Sequence, residues 1–285
     1  MNDISDDIKH SVKTALAEDV GSGDISAALI PRSINAQAVI KCRQQAVICG
    51  TPWVEEVFSQ IEPSIKIEWL VSDGDFVQPE TEVARISGPA CEILTGERTA
   101  LNFLQTLSAT STQTRQLVDL ISGTPATLLD TRKTIPGLRT AQKYAVRIGG
   151  GHNHRIGLFD AFLIKENHIA ACGGITAAIS GARALQREKK LEIEVQDLKG
   201  FSEALINNPD VIMLDNFTTE KILEAVALNR GRCILEASGG IDEKQLVKFA
   251  KTGVDYISLG SLTKHCKAVD FSLLFQSTPN SFQKA

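Results

Sequence analysis

The 285-residue sequence lacks long hydrophobic runs, and no window approaches the ~20 apolar residues of a membrane-spanning helix. Residues 1–20 are acidic and polar where a secretory signal would be basic and then apolar, so we expect this segment not to be a secretory signal. Its six cysteines form no CxxC pair and no dense cluster, which excludes a disulfide scaffold. We therefore expect a cytoplasmic protein whose thiols are reduced.

The chain as a whole has no excess of positive charge, since its formal net charge is -4 and its sequence pI is about 5.8. This excludes a general nucleic-acid or membrane-surface binder, which would be basic over a whole face. One segment is the exception: residues 130–165 hold seven Lys or Arg and two Asp, a net +5 that leaves -9 elsewhere. The partner of this basic block is expected to be small and anionic.

The first third of the chain predicts an antiparallel sheet with helices. An amphipathic helix opens the chain, and residues 36–50 and 65–89 carry β-branched runs with the Asp-Gly and Gly-Pro turns of hairpins. From residue 97 to about residue 122 the apolar period becomes 3.6, which predicts one long helix or two.

The remainder alternates short apolar strands with helical patterns, and it contains no internal repeat or low-complexity tract. The predicted strands are residues 127–131, 161–167, 191–197, 211–216, 233–239 and 256–261. Continuous apolar strands between helices indicate a parallel sheet covered by helices, and six or more in succession favour a barrel.

Nearly every one of these strands ends in a polar or charged residue. The strand ends are Asp130 leading to Arg132 and Lys133, Lys165 with Glu166, Glu194, Asp215, Glu236, and Gly260 with Ser261. The carboxyl ends of barrel strands form one rim, where active sites are built. Bases from early strands are therefore expected to face acids from middle strands across one mouth.

The basic residues near glycines and turns predict a pocket for a ligand with more than one carboxylate or phosphate, because guanidinium groups bind such anions bidentately. They are Arg132, Lys133, Arg155 and Lys165, with His154 beside them. Arg147 and residues 187–190 are expected to face solvent, while Arg139 and Lys143 fit either interpretation.

The acids Glu194 and Asp215 either pair with these bases or bind Mg2+, which takes one or two carboxylates and completes its shell with water and phosphate oxygens. The late turns at Ser238, Gly239 and Gly240 and at Gly260 and Ser261 follow the last two strands, where barrels commonly bind phosphate. Together these features suit the transfer of a phosphorylated sugar to an acidic acceptor.

The chain resembles the quinolinate phosphoribosyltransferase family in motifs that run in order through almost its whole length. They are EDVGSGDIS, ERTALNFLQTLSATST, DTRKTIPGLR, GGGHNHRIGLFDAFLIKENH, LEIEVQDL, VIMLDN, LEASGGI and GVDYISLGSLTKH. The resemblance implies an α/β fold in which an N-terminal α/β sandwich domain (residues 1–105) precedes an open seven-stranded α/β, TIM-like barrel (106–267). The tail, residues 268–285, is expected to pack on the first domain.

The resemblance also implies roles for individual residues. Four are implied to be catalytic: Lys133, Lys165, Glu194 and Asp215. Substrate contacts are implied for these four and for Arg98, Thr131, Arg132, His154, Arg155, Ser238, Gly239, Gly240, Gly260 and Ser261. Arg98 is implied to reach across a homodimer interface, and Mg2+ is implied at Glu194 and Asp215, mainly through substrate phosphates and water.

Three positions depart from the family pattern. Gln196 stands where an acid is common, and Ser261 stands where a small apolar residue is common. Some members place a histidine directly after LT, where this chain has Lys264 and then His265, so His265 receives no role.

The implied reaction transfers phosphoribosyl from 5-phosphoribosyl 1-diphosphate to quinolinate, with decarboxylation to nicotinate mononucleotide, in NAD biosynthesis. Alternatives are the molybdenum-transport-associated paralogue of the same fold, a Schiff-base lyase using Lys165 or Lys133, and a regulator that binds a phosphometabolite without turnover. The intact runs Asn153–Arg155 and Lys165–Asn167 favour quinolinate.

Overall fold

The computed structural model describes residues 4–276 and 282–284. Its helices are α1 (Ser5–Val20), α2 (Thr51–Ile61), α3 (Ala90–Leu120), α4 (Arg139–Ile148), α5 (Glu166–Cys172), α6 (Ile175–Leu185), α7 (Leu198–Ile206), α8 (Thr219–Asn229), α9 (Glu243–Ala250) and α10 (Ser261–Lys264), with a 3-10 helix at Ala27–Leu29. Its strands are β1 (Ile34–Cys42), β2 (Ala46–Val47), β3 (Lys66–Trp69), β4 (Phe76–Val77), β5 (Thr81–Pro89), β6 (Thr127–Leu129), β7 (Phe162–Ile164), β8 (Leu191–Val195), β9 (Val211–Asp215), β10 (Ile234–Ser238), β11 (Tyr256–Ser258), β12 (Phe271–Phe275) and β13 (Phe282–Lys284).

The chain folds into two compact units. The first takes in the described parts of Met1–Arg115, Ile135–Gly150 and His265–Ala285, and the second takes in Gln116–Thr134 and Gly151–Lys264. Residue 105, where the sequence predicted a domain boundary, lies inside helix α3.

The first unit contains the antiparallel sheet predicted from its hairpin signals. Its strands run in the order β12-β1-β5-β3, with β13 also paired to β1, and every ladder is antiparallel. Helix α2 begins with a proline in its first turn, where the missing N–H needs no partner, and buries Trp53 and Phe58 completely. These two large side chains are part of the hydrophobic core of the first unit.

Helix α3 is a single helix of 31 residues and extends the predicted range at its amino end. Its buried face repeats at Ala100, Leu104 and Leu107, which are fully buried and belong to the same core as Ile40 and Trp53. The 3.6-residue period read from the sequence therefore reports packing on the first unit's core.

The carboxyl-terminal segment contributes to the first unit's sheet. Strand β12 pairs with β1 in antiparallel register, from Ala38 with Phe275 to Cys42 with Phe271. The predicted tail also includes residues 277–281 and 285, which lie outside the described residues.

The second unit is a parallel sheet in the order β6-β11-β10-β9-β8-β7, with helices in the connections. Each of the six predicted strands is present, and every pairing is parallel. In the described part of the chain the seventh position is a single parallel bridge, between Leu129 of β6 and His152. The predicted α/β fold, with a small first domain and a barrel-like second domain, is confirmed.

The register of this sheet brings the ends of its strands to one level. Asp215 at the end of β9 pairs with Ser238 at the end of β10, and Glu194 of β8 pairs with Met213 of β9. Side chains that follow the strands therefore converge at the carboxyl edge. Among the residues that the structure describes, no helix has the length and apolar content to cross a bilayer.

Candidate active site

A cavity of about 350 Å³ lies at the carboxyl edge of the second unit's strands. Ten predicted site residues line it: Thr131, Arg132, Lys133, His154, Arg155, Lys165, Glu194, Asp215, Ser238 and Gly239. They come from the segments that follow or end β6, β7, β8, β9 and β10, together with the segment after the His152 bridge. Thr131 and Gly239 lie 108 positions apart in the sequence, yet both line this cavity because both follow strands that end at the same edge of the sheet.

Four other predicted residues do not line this cavity. Gly240 lines a neighbouring one, beside the amino ends of α8 and α9, and Ser261 begins α10. A Cβ atom at Gly260 would lie 2.8 Å from Cδ of Lys133, so this glycine leaves room for the lysine side chain. Arg98 is an exposed residue of α3 in the first unit.

Lys165 and Glu194 form the shortest ion pair inside the cavity. The Lys165 Nζ atom lies 2.5 Å from Oε2 of Glu194. The backbone N–H of Lys165 donates to Nδ1 of His168 at 3.0 Å, which fixes the base of the lysine side chain at the start of α5. The ion pair with Glu194 occupies the Lys165 amine, which argues against its use as a free Schiff-base nucleophile.

Asp215 is held at the end of β9 near a second carboxylate. Burial raises the pKa of Asp215, and the negative charge of Glu194 raises it further. The Asn216 side-chain amide donates to Oδ2 of Asp215 at 2.8 Å. A Cβ atom at Gly239 would lie 2.6 Å from Oδ1 of Asn216, so only glycine allows this turn to approach so closely.

Two guanidinium groups share the basic side of the cavity. Burial lowers the pKa of Arg155, and the charge of Arg132 lowers it further. Nη1 of Arg155 donates to the carbonyl of Ala161 at 3.2 Å, whereas its buried Nε has no hydrogen-bond partner among the described residues. Two cations held close together, with an unsatisfied buried donor, are the groups that would suit a planar anion.

The rest of the basic block divides between solvent and core. Arg147 is exposed on α4, as predicted. Lys143, on the same helix, is only 3% exposed. Lys143 lies one helical turn before Arg147, but its side chain is enclosed by the protein, so the solvent-facing interpretation that the sequence left open for Lys143 is wrong.

Asp130 lies at a predicted strand end, but the sequence pattern gave it no role in the site. It is completely buried and accepts hydrogen bonds from Nδ2 of Asn153 at 2.6 Å and from the backbone N–H of His154 at 2.9 Å. This carboxylate therefore fixes the loop that delivers His154 and Arg155. The available signal was a lone acid at the end of an otherwise apolar strand.

Beneath the cavity lies a buried polar cluster of His154, Glu192 and Glu236. The Nε2 atom of His154 lies 2.9 Å from Oε2 of Glu192 and 3.6 Å from Oε2 of Glu236. Burial raises the pKa of Glu236 to about 7, with the Glu192 charge as the second cause. The expectation that Glu236 lies on the rim is wrong, because Ser238 holds that position and Glu236, two residues earlier, faces the interior at 1% exposure.

Two groups of side chains offer ligands for a metal ion. Ligand atoms of His154, Glu192 and Glu236 lie within 4.8 Å of one another, and no other group of three or more His, Cys, Asp or Glu is so arranged in residues 4–276. Glu194 and Asp215 provide two carboxylates, a number that suits Mg2+ when substrate and water supply the remaining ligands.

Comparison with known protein families matches both halves of the chain. Residues 24–108 match the family model described as quinolinate phosphoribosyl transferase, N-terminal domain, and residues 110–274 match the corresponding C-terminal domain. Together the two matches cover most of both compact units, from residue 24 to residue 274.

Individual relatives agree with this assignment. The chain is 42% identical to the chloroplastic nicotinate-nucleotide pyrophosphorylase (carboxylating) of Oryza sativa subsp. japonica, covering 94% of this chain and 77% of that protein. It is 39% identical to the probable nicotinate-nucleotide pyrophosphorylase (carboxylating) of Bacillus subtilis, covering 90% and 89%. The solved structure of the nicotinate-nucleotide pyrophosphorylase from Francisella tularensis superposes with a TM-score of 0.93 at 49% identity, covering 95% and 97%.

Proposed function

The chain belongs to the quinolinate phosphoribosyl transferase family, and from this premise we propose how its cavity residues divide the family's reaction among them. The protein transfers phosphoribosyl from 5-phosphoribosyl 1-diphosphate to quinolinate with decarboxylation. The products are nicotinate mononucleotide, CO2 and diphosphate, and the step belongs to NAD biosynthesis.

The observation that carries the assignment of roles is the division of one cavity into a basic side and an acidic side. Arg132 and Arg155 bind the two adjacent carboxylates of quinolinate, and the unsatisfied Nε of Arg155 gives that anion a ready donor. Bidentate pairing with carboxylates also fixes the plane of the pyridine ring. Thr131 lies beside them, and its hydroxyl accepts from the backbone N–H of Lys133 at 3.0 Å.

Glu194, Asp215, Ser238 and Gly239 receive the phosphoribosyl donor on the opposite side. Backbone N–H groups of the turn at Gly239 suit a phosphate, and Gly240 continues that turn into the neighbouring cavity. Gly260 and Ser261 contribute through the second late turn, where Gly260 makes room for Lys133.

Mg2+ would bind on the acidic side of the cavity, near Glu194 and Asp215, together with the phosphoribosyl donor. Burial raises the pKa of Asp215, and the charge of Glu194 raises it further. A divalent cation would relieve the repulsion between these two carboxylates. Glu194 and Asp215 would hold Mg2+ mainly through water and the donor's phosphates, and the ion would neutralise charge on the departing diphosphate.

The chain's own residues act by position and electrostatics. Held by the arginines, the quinolinate nitrogen attacks the ribose carbon, the new C–N bond forms, and the bond to diphosphate breaks. Glu194 and Asp215 stabilise the positive charge that develops on the sugar, and Lys133 and Lys165 stabilise negative charge on the reacting groups. The neighbouring carboxylate then leaves as CO2, and its electron pair stays on the ring carbon beside the cationic nitrogen. That carbon then takes up one proton.

A homodimer with a shared site extends this scheme. Arg98 is exposed on α3, and we assign it to the quinolinate pocket of the partner subunit. Mixing inactive Arg98→Ala and Lys165→Ala subunits should restore partial activity, because one of the two sites in a mixed dimer has both residues intact. Properly formed heterodimers without activity would remove the shared-site assignment.

A cytoplasmic location accompanies the proposal. The six cysteines, all within the described residues, are free thiols, which suits a reducing compartment. The rice relative is named chloroplastic, so the relatives of this chain are not all assigned to the cytoplasm.

The experiment that tests the function offers purified protein, donor and Mg2+ either quinolinate or nicotinate. Turnover of quinolinate to nicotinate mononucleotide, with nicotinate inert, is expected because the two arginines need two carboxylates. Turnover of nicotinate but not quinolinate would contradict the assignment, and binding of both substrates without turnover would favour a regulator.

A further inference from the structure

A single carboxylate closes the loop between His154 and β7. Oδ2 of Asp160 accepts a hydrogen bond from the backbone N–H of Ile156 at 2.7 Å, and Oδ1 accepts one from the backbone N–H of Gly157 at 3.0 Å. These two consecutive N–H groups lie outside the helices and strands, so the carboxylate supplies the acceptors that a helix or sheet would otherwise provide. It therefore fixes the backbone that directly follows Arg155.

The residue after this carboxylate holds the arginine side chain. Nη1 of Arg155 donates to the backbone carbonyl of Ala161 at 3.2 Å. Because Asp160 and Ala161 are adjacent in the chain, the contacts that anchor Asp160 also place the acceptor for the guanidinium. Arg155 is thus held in two ways, through the backbone that follows it and through its own guanidinium.

Gly157 allows the loop to close this tightly. A Cβ atom at this position would lie 2.4 Å from Cε1 and 2.7 Å from Cδ1 of Phe159, so the aromatic ring occupies the space that any other side chain would need. The ring is 74% exposed and covers the backbone of a buried glycine. The loop is therefore ordered by contacts among its own residues.

Electrostatics give this anchoring a purpose. Arg132 and Arg155 share the basic side of the cavity, and their like charges repel. A long, flexible arginine beside another cation would lower its energy by turning towards solvent, and that movement would have to be reversed when an anion binds. The Ala161 carbonyl and the closed loop oppose the movement.

We propose that Asp160 is a positioning residue for quinolinate, which closes the loop of residues 155–161 and holds the Arg155 guanidinium ready for a substrate carboxylate. Asp160 does not itself line the cavity, so it acts through the backbone that it anchors. An arginine that is ordered in advance loses less side-chain entropy on binding, which strengthens the complex. The inference rests on the proposed function, because that function assigns Arg155 to quinolinate.

Steady-state kinetics of the full-length protein provide the first test. Asp160→Ala removes both acceptors and should raise the quinolinate KM about tenfold, with kcat and the donor KM changed by less than about twofold. Asp160→Asn keeps one oxygen acceptor and should raise the quinolinate KM only about threefold. Asp75→Ala, which removes an acceptor for the backbone N–H of Ser72 in an exposed turn of the first unit, is the matched control and should leave both KM values unchanged.

A quinolinate KM for Asp160→Ala within about twofold of wild type, or an equal rise in the donor KM, would overturn the inference. If Asp160→Ala does not fold, Asp160→Asn carries the same comparison with its smaller expected change.

A double-mutant cycle with Arg155 separates positioning from a general loss of structure. Calorimetric titration of quinolinate measures binding without turnover. Asp160→Ala should weaken binding about tenfold when Arg155 is present and less than about twofold in the Arg155→Ala background, because Asp160 acts only through Arg155. Equal weakening in the two backgrounds would show that Asp160 acts by another route and would contradict the proposal.

Failure of this inference and failure of the proposed function give different results. Wild-type protein that does not turn over quinolinate would refute the proposed function. Normal wild-type turnover, with a quinolinate KM in Asp160→Ala that matches wild type, would refute only the role of Asp160.

Discussion

Glu194 and Glu192 lie two residues apart on β8, and their carboxylates differ in exposure and in the side chain that each one contacts. Glu194 lines the cavity and pairs with Lys165, whereas Glu192 is 3% exposed and faces His154. Strand geometry places residues i and i+2 on the same face, so the second carboxylate lies one layer below the first. On β10, Ser238 and Glu236 repeat this relation.

The same strands therefore carry two layers of side chains with different purposes. The upper layer lines the cavity and includes Glu194 and Ser238, whereas the lower layer is buried and includes Glu192 and Glu236. The upper layer presents charges that face a ligand, so its substitutions should change turnover strongly. The lower layer is the buried cluster of His154, Glu192 and Glu236, so its substitutions should act through position and stability. The four predictions that follow separate these two layers.

Removal of the upper layer's lysine should have the largest effect. Lys165→Ala deletes the ammonium group and leaves Glu194 without its partner, so kcat/KM for quinolinate should fall by about 10³. Steady-state kinetics would measure this loss, and Lys199→Ala, an exposed lysine on α7, is the matched control. A Lys165→Ala enzyme that keeps more than about a tenth of wild-type activity would remove the catalytic assignment.

Arg132→Ala should raise the quinolinate KM and lower kcat/KM about 100-fold, because a charged partner of a carboxylate is lost from a half-buried site. The donor KM should change little, since Arg132 lies on the basic side of the cavity. Arg147→Ala, which removes an exposed arginine from the same basic block, is expected to leave both constants at wild-type values. Similar kinetics for the two variants would mean that Arg132 does not bind the dicarboxylate.

The lower layer predicts a pH effect on stability. The folded-state pKa of Glu236, about 7, lies above its ordinary value of 4.5, so its contribution is present at low pH and is lost as pH rises. Between about pH 5 and pH 7 this group alone should reduce the free energy of unfolding by about 2 kcal/mol. Glu192, His154, Lys190 and Ser258 face Glu236 and modulate the transition.

Glu236→Gln should remove this part of the pH dependence, because the amide is neutral at both pH values. Urea unfolding of wild type and variant at the two pH values measures the difference, and Glu224→Gln, on the exposed face of α8, is the control. An unchanged pH dependence in Glu236→Gln would show that Glu236 is ionised in the folded protein.

The smallest effect is expected at Gln196, which directly follows the end of β8. Its side-chain Nε2 donates to Oε2 of Glu166 at 3.1 Å, and the residue is exposed. Gln196→Glu exchanges this contact for repulsion between two solvated acids, so kcat/KM should fall less than about threefold. A larger loss in the steady-state assay would place position 196 in the upper layer.

Periodicity and strand-end chemistry predicted most of the fold. Continuous apolar runs identified all six parallel strands, and the 3.6-residue period identified α3. The seventh barrel position could not be seen, because it is a single bridge at His152 rather than an apolar run.

The upper layer of the site was predictable because polar residues at strand ends share one edge. The lower layer of the site was not predictable, since a glutamate inside an apolar strand gives no sign of the side chain that its carboxylate contacts. Glu192 contacts His154, which lies 38 positions earlier in the chain, and only the folded sheet brings the two residues together. Gly260 shows the same limit, because its role depends on the Lys133 side chain packed against it.

The most direct test follows quinolinate carrying 13C in the carboxyl group beside the ring nitrogen. With donor and Mg2+ present, the account predicts that labelled CO2 and diphosphate are released one for one, and that neither appears when the donor is omitted. Release of diphosphate at the same rate without labelled CO2, or of labelled CO2 without the donor, would contradict coupled transfer and decarboxylation in this cavity.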